Sequence, residues 1–349
     1  MKGLSWFGFE TSLSVFHGLW QNDYNLYLDF IHNNSFNALR IPFYLDLLLK
    51  DPIPQSIEFG YCQTNPKCNL DLKGLTALQV LDVMVAACAK RNIYIMFDMH
   101  SFEPDAYQAN GLWYDATHSE ALVLKGWDVL LSRYSNASNI IGADLKNEPF
   151  QGTWSTGVEQ TDWDAAAQRI GNHIASKSNW LVFVEGTANS PACNPGCFYG
   201  EDLTGVREHP VVLNVSSRLV YSPHVYGPSV FMQPYFSDPS FPANMPAIWD
   251  AHFGYIKKLA GPAIVVGEWG GLMTGANLVW MNAFVAYLKA LDSTDQFFWC
   301  LNPDSGDTGG LLLNDWLTPD TQKLQLLATL VPKPGLDVTV HVSSAQLLQ

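Results

Sequence analysis

The sequence predicts an α/β fold, a (β/α)8 TIM barrel formed by a single domain. Eight short apolar runs, rich in β-branched and aromatic residues and bounded by Gly, Pro and Asn, are typical of buried parallel strands. Longer segments with apolar residues at helical spacing separate these runs. A chain of 349 residues is long enough for one such barrel. We therefore expect a barrel domain over residues 1–330, followed by a tail or the start of a linker over residues 331–349.

The predicted strands follow the apolar runs in chain order. They cover residues 3–9, 36–43, 93–100, 140–149, 180–187, 219–226, 263–269 and 296–302. Two helices are predicted from amphipathic stripes, one through Leu78, Leu81, Val85 and Cys88 and the other through Trp163, Ala166, Ala167, Ile170 and Ile174. Further helices are predicted near residues 23–33, 119–133, 246–259 and 277–291.

The composition argues against several classes of partner. Acidic residues outnumber basic ones by 33 to 19, which gives a net charge of −14. A surface this negative repels phosphate backbones, so we expect no nucleic-acid partner. No uninterrupted apolar stretch approaches about 18 residues, so we expect no membrane span. The sequence also lacks Walker, GxGxxG, HExxH and GxSxG patterns, which leaves phosphate cradles, zincin chemistry and a serine elbow unsupported.

The cysteines indicate whether the protein lies in an oxidising compartment, where disulfides persist. Cys62 and Cys68 lie in one polar loop, and Cys193 and Cys197 lie in another. Each pair closes a small loop, as short-range disulfides do, and four free loop cysteines are the alternative. Neither spacing has the CxxC pattern typical of zinc sites. The remaining two are predicted to be buried thiols: Cys88 and Cys300. The N-terminus is too short and too aromatic for a signal peptide, so either the protein stays in the cytosol or its leader is absent from this sequence. Because the loop cysteines favour disulfides, we expect an extracellular, secreted protein.

Two glutamates stand at the carboxyl ends of predicted strands, where a barrel of this kind places its chemistry. Glu148 ends the fourth strand and Glu268 ends the seventh, so their carboxyl groups are expected to face each other across one mouth. Such a pair suits glycoside hydrolysis, in which one carboxyl protonates the leaving oxygen while the other attacks the anomeric carbon or activates water. Their surroundings must hold the two pKa values apart. A neighbouring Arg and Tyr would keep Glu268 ionised, which leaves Glu148 as the acid.

Other strand ends supply candidates for substrate binding. These are Arg40, His100, Asn147, His224, Tyr226 and Trp299. Asn147 is suited to bind the sugar 2-hydroxyl, and Trp299 is suited to form an apolar floor for a sugar ring. Three loop residues are further candidates: Trp20, Trp113 and Gln233. The two loop tryptophans suit loop packing equally well. Glu185, at the end of the fifth strand, is expected only to accept hydrogen bonds from loop amides.

These residues in their local sequences resemble the family-5 glycoside hydrolases, specifically the secreted endoglucanase branch of a large clan of retaining (β/α)8 glycosidases. The matching stretches recur in family order over nearly the whole chain: GLSWFGFET, HGLW, NALRIPF, LTALQVLD, LWY, IGADLKNEP, FVEGT, PVVLN, LVYSPHVYG, VVGEWGG and NPDSGDTGG. The resemblance implies that Glu148 is the general acid/base and Glu268 the nucleophile. The implied reaction is endo-hydrolysis of β-1,4-glucan, such as cellulose, with retention of configuration. No metal or cofactor is implied.

The sequence also departs from this family and leaves alternatives open. After the fifth strand, Phe198-Tyr199-Gly200-Glu201 stands where many relatives carry Trp-Trp-Gly-Gly. The acid and the nucleophile do not identify the sugar, so a β-mannanase or a mixed-linkage glucanase is an alternative. A carbohydrate-binding barrel without turnover is another, although the presence of both glutamates argues against it. The expected partners are β-glucan polysaccharides or cello-oligosaccharides, and we expect a monomer.

Overall fold

The computed structural model describes residues 1–106, 111–188, 190–191, 193, 196–259 and 261–331. The strands within these residues are β1 (Lys2–Ser5), β2 (Ala38–Tyr44), β3 (Tyr94–Ser101), β4 (Ile140–Asp144), β5 (Leu181–Val184), β6 (Leu219–Tyr221), β7 (His224–Tyr226), β8 (Ala263–Ile264), β9 (Val266–Gly270) and β10 (Gln296–Phe298). The α-helices are α1 (Tyr24–Asn33), α2 (Leu45–Lys50), α3 (Ala77–Ala89), α4 (Glu120–Tyr134), α5 (Trp163–Ala175), α6 (Met245–His252), α7 (Gly275–Ala290) and α8 (Thr321–Leu327).

All strand pairs are parallel, in the order β7-β9-β10-β1-β2-β3-β4-β5-β6-β8. Two barrel strands are each interrupted once: β6 and β7 are separated by Ser222 and Pro223, and β8 and β9 by Val265. Hydrogen bonding continues through both breaks, because Val265 N donates to Tyr221 O at 3.0 Å and Gly267 N donates to Pro223 O at 3.0 Å. Counting each interrupted strand once gives eight strands in a closed ring, which confirms the predicted (β/α)8 barrel.

Each predicted strand overlaps at least one observed strand, but several predictions extend too far. The fourth was predicted to continue to residue 149, whereas β4 ends at Asp144 and the next five residues form the loop that carries Glu148. Two short helices, α2 and α8, were not predicted. The described part of the connection between β5 and β6 contains only the 3-10 helices Thr204–Arg207 and Ser216–Arg218, where a regular barrel would have an α-helix.

The inside of the barrel is closed at its amino-terminal end by an apolar layer. Six buried side chains form this cluster, five of them on strands and Val265 in the break between β8 and β9: Ala38, Met96, Phe183, Val220, Val265 and Phe297. A larger core lies between the sheet and the helices, where the predicted amphipathic stripes of α3 and α5 are buried. Because side chains alternate along a strand, the residue two positions after each member of the inner layer also points inward. The site is built on that next layer.

Two disulfides lie among the loops. Cys62 and Cys68 are joined with a Cα–Cα distance of 5.9 Å, and Cys193 and Cys197 with a distance of 5.5 Å. The other two cysteines are buried thiols, as predicted: Cys88 and Cys300. None of the described helices is long and apolar enough to cross a membrane. Residues 332–349, nearly all of the predicted tail, lie outside the described residues, so the boundary at residue 330 stays a prediction.

Candidate active site

A buried charged layer lies directly above the apolar floor of the barrel. Arg40, Asp98 and Glu185 each follow a member of the inner apolar layer by two positions, and Asp144 ends the strand between those of Asp98 and Glu185. All four side chains are fully buried. The alternation of β-strands therefore places one cation among three carboxyl groups at the base of the site.

Arg40 holds this layer together through its guanidinium group. Nε donates to Asp144 at 3.1 Å, and Nη2 donates to the side-chain oxygen of Asn147 at 3.0 Å and lies 3.0 Å from Asp98. Nη1 donates to Oε1 of Glu268. Buried charges of this kind are stable only when they are paired and hydrogen-bonded. Arg40 thus supplies a positive charge that favours the ionised form of the carboxyl groups around it.

Glu268, on β9, is held as an anion. Its Oε2 accepts a hydrogen bond from the Tyr226 hydroxyl at 2.5 Å, while Arg40 binds Oε1. His224 Nδ1 lies 3.6 Å from Oε2. Burial alone would raise the pKa of this carboxyl, but the charges of His224, Arg40 and His100 and the Tyr226 hydrogen bond outweigh it and lower the pKa to about 2. This environment is suited to a carboxylate that acts as a nucleophile.

Glu148 lies opposite, in the loop after β4. Its backbone adopts a positive φ of 47°, and its side chain is 20% exposed compared with 5% for Glu268. His224 Nδ1 lies 3.2 Å from its Oε1. Ligating atoms of Glu148, His224 and Glu268 all lie within 4.8 Å of one another, close enough to hold a cation as well. The two carboxyl groups therefore stand at a short separation, with the more accessible one at the rim.

An aromatic wall borders the same space. The Trp299 indole lies nearly parallel to two neighbouring rings, with centroids 5.8 Å from His100 and 5.5 Å from Phe7. The row of rings continues from Phe7 to His17 at 5.1 Å and from His17 to Trp20 at 5.2 Å. His100 Nδ1 is hydrogen-bonded to Asp98 at 2.7 Å. Burial lowers the pKa of His100, but the charge and hydrogen bond of Asp98, together with the charges of Glu268 and Glu10, outweigh burial and raise it. This wall offers flat apolar surface beside the carboxyl pair.

A cleft of about 480 Å³ opens between these groups. It is lined by six of the predicted residues: His100, Asn147, Glu148, Tyr226, Glu268 and Trp299. Arg40 and His224 are buried beneath it rather than in its lining. Sequence reasoning missed the lining contributed by Phe7 and Glu10, which follow β1, and by the loop 304–308, which follows β10. The same rule that placed the glutamates, that function lies after strand ends, would have found both segments.

The structure places two of the predicted loop residues away from the cleft and a third at its margin. Trp113 is 1% exposed and its indole nitrogen donates to Glu120 at 2.7 Å, so its ring has no free face for a sugar. Gln233 is buried and its amide donates to the Cys197 carbonyl at 2.9 Å, so its side chain contacts the disulfide loop. Trp20 is half-buried at the outer end of the aromatic row and is not in the cleft lining.

The arrangement joins an anion held by fixed donors, an accessible carboxyl at short range and a flat apolar wall. Together these can bind a sugar ring, attack its anomeric carbon and protonate a leaving oxygen, the requirements of glycoside hydrolysis.

Comparisons with known proteins agree with this chemistry. Residues 1–305 match the family model described as Cellulase (glycosyl hydrolase family 5). An endoglucanase of Paenibacillus polymyxa is 41% identical over 350 aligned residues, which cover 99% of this chain and 85% of the relative. The major extracellular endoglucanase of Xanthomonas campestris pv. campestris is 40% identical, with 95% of this chain and 67% of the relative covered.

Solved structures show the same similarity. The catalytic domain of the Xanthomonas campestris enzyme superposes with a TM-score of 0.87 at 40% identity, covering 95% of this chain and 94% of that one. A cellotetraose complex of the endocellulase from Pyrococcus horikoshii superposes with a TM-score of 0.88 at 36% identity, covering 95% of this chain and 92% of that one. On its sequence match and its fold, this chain is a member of the cellulase family, glycosyl hydrolase family 5.

Proposed function

We propose that this protein is an endo-β-1,4-glucanase that hydrolyses cellulose and related β-glucans with retention of configuration. The observation that carries the proposal is the short separation of the two carboxyl groups, whose nearest oxygens lie within 4.8 Å. Retaining glycosidases hold their carboxyl pair at about 5–5.5 Å, whereas inverting enzymes need about 6.5–9.5 Å to admit a water. The endo mode of action is supported by the relatives, which are named endoglucanases or endocellulases.

In the first step, Glu268 is the nucleophile. One of its carboxylate oxygens forms a bond to the anomeric carbon while the bond from that carbon to the glycosidic oxygen breaks. Glu148 gives its proton to the departing oxygen, which leaves as the hydroxyl of the released sugar. Arg40 and Tyr226 hold Glu268 in the line of attack, and the hydrogen bonds that they donate keep its lone pairs in a fixed direction.

In the second step, Glu148 is the general base. It takes a proton from a water molecule, whose oxygen then attacks the anomeric carbon, and the bond to Glu268 breaks. Both carboxyl groups return to their starting protonation states. Two inversions at the same carbon restore the original configuration.

Substrate binding is assigned to the residues around the pair. Arg40 occupies the side-chain oxygen of Asn147, so the Asn147 amide nitrogen is the group left to donate to the sugar 2-hydroxyl. Trp299 forms the floor for the sugar ring, and His100 borders it. Trp20, at the end of the aromatic row, is proposed as an outer contact for a longer chain.

We also propose that the protein acts outside the cell. Two disulfides support this, because such bonds persist in oxidising compartments. The Xanthomonas campestris relative is named a major extracellular endoglucanase.

Product analysis on carboxymethylcellulose, β-mannan and barley glucan tests the proposal. We expect short cello-oligosaccharides from the cellulose derivative at a higher rate than any product from mannan. Preference for mannan would favour a mannanase, and preference for barley glucan would favour a mixed-linkage glucanase. Glu268→Gln is expected to abolish turnover while oligosaccharide binding is retained. Wild-type activity in this variant would reject the assignment, and no hydrolysis by the wild-type protein would favour a binding barrel.

A further inference from the structure

A pair of buried carboxyl groups lies directly beneath the proposed catalytic residues. Asp144 ends β4, and Glu185 follows the neighbouring strand β5. Both are fully buried, and Arg40 Nη2 lies 3.0 Å from Asp144 and 3.5 Å from Glu185. Neither carboxyl reaches the cleft, so neither takes part in the steps described above.

Glu185 holds the backbone of Glu148. Its Oε2 accepts a hydrogen bond from the Glu148 amide at 2.7 Å. That amide belongs to a residue in the left-handed region, at a φ of 47°. This conformation costs a residue with a side chain about 1–2 kcal/mol and persists only where its surroundings enforce it. The hydrogen bond that this amide donates to a buried carboxyl oxygen is such a constraint, and it helps to set the direction in which the Glu148 side chain leaves the backbone.

Glu185 also faces His224, which lies between it and the catalytic pair. His224 Nε2 is 3.2 Å from Glu185 Oε1, and Nδ1 on the other side of the ring is 3.2 Å from Glu148 Oε1. The imidazole ring therefore lies between the two carboxyl groups, with Nε2 toward Glu185 and Nδ1 toward Glu148. One carboxyl group therefore contacts the acid/base residue by two routes, through its backbone and through a bridging imidazole.

Asp144, the second carboxyl group of the pair, lies close to Glu185 and His224. Asp144 Oδ1, Glu185 Oε1 and His224 Nε2 have no hydrogen bond of normal geometry to any residue that the structure describes. Ligating atoms of these three side chains all lie within 4.8 Å of one another. Two buried carboxyls this close cannot both be ionised. Burial and the charge of Asp98 raise the pKa of Asp144 to about 6, and burial and the charge of Asp144 raise the pKa of Glu185 well above its usual range. The pair therefore retains a proton that can link its two facing oxygens.

We propose that Glu185 is a positioning residue for the acid/base step, fixing the backbone of Glu148 and the ring of His224 while it shares a proton with Asp144. This inference rests on the proposed function, because it assigns Glu185 a role that acts through Glu148. It predicts that loss of Glu185 impairs proton transfer to the leaving group more than it impairs attack by Glu268.

A double-mutant cycle tests this prediction. Glutamine at position 185 has a single acceptor oxygen, so Glu185→Gln can serve Glu148 or His224 but not both. A general acid accelerates the reaction about 10²–10⁴-fold. Because Glu185→Gln misdirects this acid, we expect it to lower kcat/KM on cellotetraose by about 10–10²-fold. An aryl β-cellobioside with an acidic phenol needs little protonation, so its kcat/KM should fall less than about 3-fold. In a Glu148→Gln background, adding Glu185→Gln should cost less than about 2-fold on cellotetraose, because residues that act as a unit are not additive.

Glu201 supplies a matched control. It is also a buried carboxyl between a backbone amide and a histidine: Oε2 accepts from Phe198 N at 2.8 Å, and Oε1 lies 2.8 Å from His252 Nδ1. It does not contact Glu148. Glu201→Gln should lower the melting temperature but leave unchanged the ratio of kcat/KM on cellotetraose to kcat/KM on the aryl β-cellobioside.

The outcomes separate the inference from the proposed function. Suppose that Glu148→Gln lowers kcat/KM mainly on cellotetraose. If Glu185→Gln then lowers kcat/KM equally on both substrates, or has its full effect in the double mutant, the inference is overturned and the proposed function stands. If Glu148→Gln itself slows both substrates equally, the acid assignment fails with it. Should Glu185→Gln not fold, Glu185→Asp, which keeps the charge but is one methylene too short for both contacts, is expected to show the same selective loss. Wild-type kinetics in that variant would overturn the inference.

Discussion

Replacing Arg40 by methionine tests how the site tolerates its buried charge. Arg40 is fully buried and contacts four carboxyl groups: Asp98, Asp144, Glu185 and Glu268. Methionine fills a similar volume without donating a hydrogen bond. Removing one partner from a buried ion pair costs about 3–5 kcal/mol, because the other partner is left charged and without compensation. We therefore expect Arg40→Met to lower the free energy of unfolding at pH 7 by about 3–5 kcal/mol.

The loss should depend on pH in a defined direction. The folded-state pKa of Glu268 is lowered from 4.5 to about 2, so in the wild-type protein its pairings stabilise the fold above pH 4.5 and are lost as the pH falls toward 2. Without Arg40, burial raises the pKa of these carboxyls, and they take up protons as the pH falls. The difference in unfolding free energy between the two proteins should therefore shrink below pH 4.5. The acid limb of the pH–rate profile of Arg40→Met should lie at higher pH than that of the wild-type protein.

Urea unfolding at several pH values between 3 and 8 measures this difference. Arg133→Met is the control, because Arg133 pairs with Asp82 at 2.7 Å on the surface, where such a pair contributes about 0–1 kcal/mol. A loss below about 1 kcal/mol for Arg40→Met, or a loss that does not change with pH, would refute the assignment of Arg40 as the buried counter-ion.

Three further outcomes are expected. Tyr226→Phe removes the 2.5 Å hydrogen bond to Glu268 and should lower kcat about 10–10²-fold with little change in KM, as measured by steady-state kinetics. Trp299→Ala should raise KM for cello-oligosaccharides by a factor corresponding to about 1–3 kcal/mol, whereas an unchanged KM would argue against a sugar platform there. The Cys62→Ser, Cys68→Ser double variant opens a small loop and should lower the unfolding free energy by about 2 kcal/mol without changing kcat.

Much of the fold is predictable because buried parallel strands have a distinct composition. All eight apolar runs contain strands, since hydrophobic runs bounded by Gly, Pro and Asn encode them locally. The break between β6 and β7 coincides with Pro223, which has no amide to donate and was not used in the prediction. The replacement of a helix by 3-10 turns after β5 has no strong local signal. It depends on how that connection packs.

The candidate site, too, is only partly predictable from the sequence. The rule that strand ends carry the chemistry places Glu148, Asn147 and Glu268 in the cleft, because backbone geometry fixes those positions. Trp113 and Gln233 lie outside the cleft lining, because residue type in a loop does not reveal which side of the loop faces the cleft. The expectation for Glu185 is confirmed in that it accepts an amide hydrogen bond, but the amide is that of Glu148. Chain order alone cannot show that contact.

The most direct test of the central claim is to trap the covalent intermediate. A 2-deoxy-2-fluoro-β-cellobioside with a good leaving group slows the second step more than the first, so a glycosyl-enzyme accumulates and can be located by mass spectrometry of its peptides. The opposed carboxyl pair predicts one fluorocellobiosyl group bound to Glu268. A label on any other residue, or no label while the enzyme releases product of inverted configuration, would contradict it.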